Sequence, residues 1–245
     1  MTNLSSLAIR LYHAPVSRAM LATLQKNFPA LGYQWDERDT VFHCDVGEMT
    51  PKEVERLQID MRFYDLNPTL PLENLCSRLD NYIPRNQSQE ELLYYAQKLI
   101  ALDDESAAAG LYLYGEAGIG KSHVSIGVAK EFMLRGLEPN FQFADRYTFN
   151  TNVKLIPGQV WVIDDMNSGY HLSSRLFKQV VLNAHERGGR VFVTSNKDYD
   201  ELMKEMFVGD SKANKIRYED RTKGMFKIIF VTGGSFRQAN AWYNS

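Results

Sequence analysis

The sequence predicts an α/β fold: a P-loop NTPase with a parallel five-stranded sheet sandwiched by helices, behind a small N-terminal α+β region. Three observations predict it. From Gly110 onward, short apolar runs alternate with helical stretches. A glycine-rich motif, Gly115 to Ser122, lies between the first run and the first of those helices. A later apolar run ends in two carboxylates, Asp164 and Asp165, which a parallel sheet would deliver beside that motif.

The elements follow in order. The first helix is expected from Ser17 to Phe28, with Met20, Leu21, Leu24 and Phe28 on one face. An extended aromatic stretch holds Tyr33, Trp35, Val41 and Phe42. Thr50-Pro51-Lys52-Glu53 announces a second helix, with a capping Thr, Pro at the first helical position and Glu at the third. Asn67-Pro68-Thr69-Leu70-Pro71 reads as a break, because each Pro restricts the residue before it. Residues 1–70 are thus expected to form an N-terminal partner-binding region, and 71–245 an ATPase domain with a helical lead-in over 72–103 and a core over 110–238. In the lead-in, Ser88-Gln89-Glu90-Glu91 reads as a capping box ahead of Leu92, Leu93, Ala96, Leu99 and Ile100.

In the core, Leu111–Tyr114, Phe141–Ala144, Val160–Ile163, Val191–Thr194 and Lys227–Thr232 suit buried strands. Helices are expected from Lys121 to Arg135 and from Leu172 to Arg187, the second stopping at Gly188-Gly189.

Bulk properties bound the function. The chain has 245 residues, 44% of them hydrophobic and 12% aromatic, enough for a packed core. A net charge of −2 excludes a global field for nucleic acid, so any such contact must be a local basic patch. The two cysteines, Cys44 and Cys76, are too few and too far apart for a Cys-rich zinc site or a disulfide framework. No apolar run is long enough to span a membrane, and the expected location is the cytoplasm. Met1 to Trp35 holds no acidic residue, a feature of organelle transit peptides as well as of an ordinary first helix.

The chemistry begins at Gly115-Glu116-Ala117-Gly118-Ile119-Gly120-Lys121-Ser122, which fits GxxxxGK[ST]. Glycines let successive N–H groups curl toward phosphate oxygens, and the helix start adds partial positive charge. Lys121 would offset charge on the β- and γ-phosphates of ATP, while Ser122 would ligate Mg²⁺. His123 completes the expected nucleotide-binding stretch. Asp164 is expected to hold Mg²⁺ and Asp165 to orient or deprotonate the attacking water. Asp165 is shorter than the Glu often found in this role, which points to slow or partner-stimulated hydrolysis. Without the phosphate loop, the same acid pair would read as loop caps. Val191-Phe192-Val193-Thr194-Ser195-Asn196 ends in polar side chains. Asn196 either bonds the γ-phosphate or attacking water, or simply forms a turn.

Downstream, Arg217-Tyr218-Glu219-Asp220-Arg221 precedes the last strand, and Gly233-Gly234-Ser235-Phe236-Arg237 follows it. The order GxxGxGKSH, apolar-DD, TSN, RxxDR, GxSFR resembles the DnaC/IstB group of AAA+ ATPases, bacterial helicase loaders and transposon helpers. The resemblance covers 110–238, about half the chain. It implies a AAA+ ATPase in DNA replication, with Arg221 as an arginine finger in a neighbouring subunit's site and Arg217 as a second trans-acting arginine. Arg237 would sense the γ-phosphate of its own subunit. An arginine at the transferring phosphoryl group can raise the rate by about 10³–10⁵. A finger acting in trans requires head-to-tail self-assembly into a ring or open helix. The competing reading of Arg217 and Arg221 is a solvated helix face paired with Glu219 and Asp220. A ZapE-like ATPase shares the TSN strand end but fits the RxxDR and GxSFR tail less well.

The segment between the first core helix and the acid-bearing strand is short for the loader group. Arg146, Tyr147, Phe149 and Lys154 interleave aromatic and basic residues there, a pattern suited to single-stranded DNA. A replicative helicase is a partner implied by the resemblance. The alternative is an ATP-switched protein-binding adaptor without DNA affinity, favoured by the pI near 6.2 and the trimmed segment.

Overall fold

The structure, a computed structural model, describes residues 9–10, 18–36, 41–102, 108–144, 160–167 and 171–236. It divides into two units, Met1–Asp65 with Leu70–Cys76, and Leu66–Thr69 with Ser77–Ser245.

The first unit holds helices and a small antiparallel sheet. Strands β1 (Ile9–Arg10), β2 (Gly32–Asp36) and β3 (Val41–Asp45) form a sheet in the order β1-β3-β2. Helix α1 spans Arg18–Asn27, and Met20, Leu21, Leu24 and Phe28 are all buried, as their spacing predicts. They share a core with Leu31, Val46, Leu57, Met61, Leu75 and the buried Cys76. Helix α2 (Pro51–Leu66) starts as its sequence requires: Glu53 Oε2 accepts from Thr50 N at 2.8 Å, and Glu53 N donates to Thr50 Oγ1 at 3.3 Å.

The second unit carries a five-stranded parallel sheet in the order β5-β6-β7-β4-β8. Its elements are α3 (Gln87–Ile100), β4 (Ala108–Tyr114), α4 (Lys121–Leu134), β5 (Asn140–Phe143), β6 (Val160–Asp164), α5 (His171–Arg187), β7 (Gly189–Ser195), α6 (Tyr199–Met206), α7 (Lys212–Met225) and β8 (Phe226–Phe230). Strands β6 and β7 are buried at every position, the pattern of a sheet covered on both faces. Tyr112, Trp161, Ile163, Val191 and Val193 project into one core with Leu176, Phe177, Val180 and Val181 of α5 and with α6 and α7 residues. The alternate residues Leu111, Leu113, Val162 and Phe192 face the other side, where α4 packs on β6 and β7. Asn67, in the stretch read as a break, is buried: its Oδ1 accepts from Phe141 N at 2.7 Å at the start of β5.

Helix α3 corrects one expectation. Its N-cap is Asn86, whose side chain accepts from Gln89 N at 3.0 Å; Ser88 lies inside the first turn. The Ser88 hydroxyl instead accepts from Thr232 N at 2.9 Å, a partner 144 residues away. A long-range N–H donor took the place of the local one. Segment 145–159, with Arg146, Tyr147, Phe149 and Lys154, and residue Arg237 lie outside the described residues.

Candidate nucleotide site

Strand β4 ends at Tyr114 and the chain turns through the glycine-rich loop into α4. Gly118 and Gly120 take φ of 80° and 97°, the left-handed region that β-carbons disfavour. Space forbids a side chain too: a Cβ on Gly118 would lie 2.2 Å from Ser235 Oγ, and one on Gly120 would lie 2.6 Å from Tyr82 Cε2. Gly120 is also the N-cap of α4 and brings no capping side chain. Helices α3, α6 and α7 differ, being capped by Asn86, Asp198 and Ser211. The first-turn N–H groups of α4 are thus left for an external acceptor, and an anion such as phosphate suits them.

Lys121 is buried at 7% exposure and folds back over the loop. Its Nζ donates to Gly115 O at 2.7 Å, to Glu116 O at 2.6 Å and to Asn196 Oδ1 at 3.2 Å. Asn196, exposed at the end of β7, thereby meets the loop lysine directly.

The acids arrive by sheet order. Strand β7 lies between β4 and β6, so Thr194 of β7 bridges the gap to Asp164 at the end of β6. Asp164 Oδ1 accepts from Ser122 Oγ at 2.7 Å and from Thr194 Oγ1 at 2.6 Å. Burial pushes the Asp164 carboxyl above its ordinary range, and the neighbouring Asp165 adds to this; the Thr194 and Ser122 hydrogen bonds and the Lys121 charge oppose it. A hydroxyl and a buried carboxylate side by side form a hard-oxygen donor pair that fits Mg²⁺, which takes few protein ligands alongside phosphate oxygens and water.

Asp165 is exposed and is the one described non-glycine residue with positive φ, at 61°. Its N–H donates to Thr194 Oγ1 at 2.9 Å, and its Oδ1 accepts from Asn167 Nδ2 at 2.7 Å.

Beside the loop, the His123 ring accompanies Tyr82 at 5.5 Å between centroids. His123 Nε2 lies 3.0 Å from Arg78 O and 2.8 Å from Asn81 Oδ1, two acceptors, so this nitrogen carries the proton. Burial holds its pKa below the ordinary value. His123 thus braces the lead-in segment against α4. The Tyr82 hydroxyl is buried without a hydrogen-bond partner among the described residues, and burial raises its pKa to about 12. After β8, Phe236 N donates to Gly118 O at 2.8 Å, and the Arg85 guanidinium lies 3.8 Å from the Phe236 ring centroid.

Arg217 and Arg221 both lie on α7, the first exposed and the second half-buried. Glu219 pairs with Lys215 at 3.8 Å, and among the described residues neither arginine takes an ion pair.

The structure brings together Lys121, Ser122, Asp164, Asp165 and Asn196 from the sequence reading. It adds Thr194 and Asn167, whose roles depend on strand order and a turn that spacing does not reveal.

No family model matches the chain, and no curated protein matches it. Among solved structures, that of DnaI is similar at 21% identity, with a TM-score of 0.58 over 71% of this chain and 98% of that one. A candidate primosome component from Streptococcus pyogenes serotype M3 gives 18% and 0.57, covering 71% of this chain and 97% of that one. The DnaC helicase loader gives 16% and 0.51, covering 70% and 99%. At these identities the likeness is one of fold. The described sheet, phosphate loop and flanking helices form a P-loop fold, similar to that of DnaI and of the DnaC helicase loader.

Proposed function

We propose that the chain is a Mg²⁺-dependent ATPase of helicase-loader type. The observation that carries the reading is the contact of Lys121 with Asn196 beside the Ser122–Asp164–Thr194 cluster, all around one uncapped helix start. In this reading the amides of the loop and α4 bind the β- and γ-phosphates, with Lys121 offsetting their charge. Ser122 and Asp164 hold Mg²⁺, which supplies charge neutralisation at the phosphates. Asp165 takes the proton of a water whose oxygen attacks the γ-phosphorus, while the bond to the β–γ bridging oxygen breaks and ADP leaves. Asn196 orients that water or the γ-phosphate.

Arg221 acts as the trans finger, Arg217 as its companion and Arg237 as the cis sensor. That neither α7 arginine takes an ion pair among the described residues supports their use toward a second copy, in head-to-tail assembly. Residues 1–70 serve as the partner-binding region of a 71–245 ATPase domain, with a replicative helicase as the partner class and single-stranded DNA as a further ligand.

The test is ATP turnover with and without Mg²⁺ and single-stranded DNA, together with retrieval of a replicative helicase by the Asp165→Asn protein. Turnover stimulated by DNA and helicase recovery support the loader reading. ATP-dependent self-assembly with neither DNA affinity nor helicase favours the adaptor instead. Absence of ATP binding overturns both.

A further inference from the structure

Asn167 lies in a turn whose backbone is fixed residue by residue. Met166 N donates to Thr194 O at 2.8 Å, Met166 O accepts from Ser195 Oγ at 2.7 Å, and Asn167 N returns to Asp165 O at 2.9 Å. Both ends of the Asn167 carboxamide are engaged as well. Its Nδ2 donates to Asp165 Oδ1 at 2.7 Å, and its Oδ1 accepts from Asn196 N at 2.6 Å. Asn196 in turn accepts from Lys121 Nζ at 3.2 Å. One unbroken line of hydrogen bonds therefore joins Asp165 to Asn167, to Asn196 and to the phosphate-loop lysine.

Among the described residues, Asn167 is the one side chain bonded to the Asp165 carboxylate. That carboxylate is short, exposed and mounted on a left-handed backbone. Without a tether it would sample several rotamers, and an acid that handles water cannot: a misplacement of about 1 Å can lower a rate about 100-fold.

We infer that Asn167 is a positioning residue, whose amide N–H holds the Asp165 carboxylate in its working orientation and whose oxygen ties that orientation to the Asn196–Lys121 pair. The inference rests on the proposed role of Asp165. It goes further in assigning a residue outside the sequence motifs and a route by which phosphate contact at Lys121 and Asn196 reaches the acid.

The two ends of the carboxamide can be separated. Asn167→Asp is isosteric and keeps an acceptor for Asn196 N–H, but replaces the donor to Asp165 with a like charge. Asn167→Ala removes both. The experiment compares kcat, KM, affinity for a fluorescent ATP analogue and thermal midpoint for the full chain, these two variants, Asp165→Asn, and the Asn167→Ala/Asp165→Asn double variant. Asn167→Asp is expected to lose kcat by about 10- to 100-fold while nucleotide affinity stays within about threefold and the midpoint stays near that of the parent. The double variant is expected to be no slower than Asp165→Asn alone, because both changes act through one carboxylate.

An inactive Asp165→Asn beside a fully active Asn167→Asp overturns the inference alone. So does a loss of affinity that matches the loss of kcat, or a double variant whose defects multiply. A parent chain without turnover, or an Asp165→Asn protein as active as the parent, removes the role of Asp165 and this inference together.

Discussion

Ser122 donates its hydroxyl hydrogen to Asp164 at 2.7 Å, joining the first turn of α4 to the end of β6. The Asp164 side chain sits in the sheet's interior at 3% exposure, where burial disfavours its charge. A divalent cation at this pair would replace the hydroxyl proton as the partner of the carboxylate. Ser122→Ala should therefore raise the Mg²⁺ concentration needed for half-maximal turnover by at least about 10-fold, measured by Mg²⁺ titration.

Lys121 already has three oxygen partners around the loop, and a phosphate would compete for them. Lys121→Ala should weaken ATP binding by on the order of 100-fold, the loss of one or two charge-assisted hydrogen bonds. Fluorescent-nucleotide titration checks it, and an unchanged affinity would remove Lys121 from the site.

Arg221→Ala should bind nucleotide normally and lose turnover by about 10³-fold if the arginine acts across an interface. Mixing it with Lys121→Ala protein, which keeps its arginine but cannot bind ATP well, should restore part of the activity. If titrating the two proteins together never exceeds the sum of their separate rates, the trans assignment is wrong.

Gly120→Ala places a methyl against the Tyr82 ring at a φ that alanine resists. It should destabilise the nucleotide-free chain by roughly 1–3 kcal/mol, with impaired ATP binding. Tyr82→Phe is the contrasting case. It deletes a buried hydroxyl that has no hydrogen-bond partner among the described residues, so stability should stay level or rise by up to about 1 kcal/mol. Denaturant titration of both variants measures the difference.

The half-buried His123 carries its folded pKa below the ordinary value, chiefly through loss of solvation. The unfolded imidazole therefore binds a proton more readily, so this contribution to stability is full above the unfolded pKa and is lost as pH falls through the folded one. Lowering the pH from about 7 to about 5 should destabilise the chain. His123→Gln should flatten that slope; an unchanged slope would place its origin elsewhere.

Much of the site is legible along the chain because the relevant chemistry is local. The spacing Gly115 to Ser122 sets a turn, a helix start and a lysine within a few residues, and Thr50 with Glu53 caps α2 as written. An apolar run followed by Asp164 and Asp165 states both burial and where it stops. Other features depend on what arrives from elsewhere. Ser88 gave up the expected capping role because Thr232 reached it across 144 residues. Asp164 meets Thr194, and Asn196 meets Lys121, only because β7 inserts between β4 and β6. Backbone geometry and apolar period act over one or two turns of chain, so the sequence alone determined the elements and the loop. Strand order brings together side chains remote in sequence, so tertiary structure decided which oxygen faces which hydrogen.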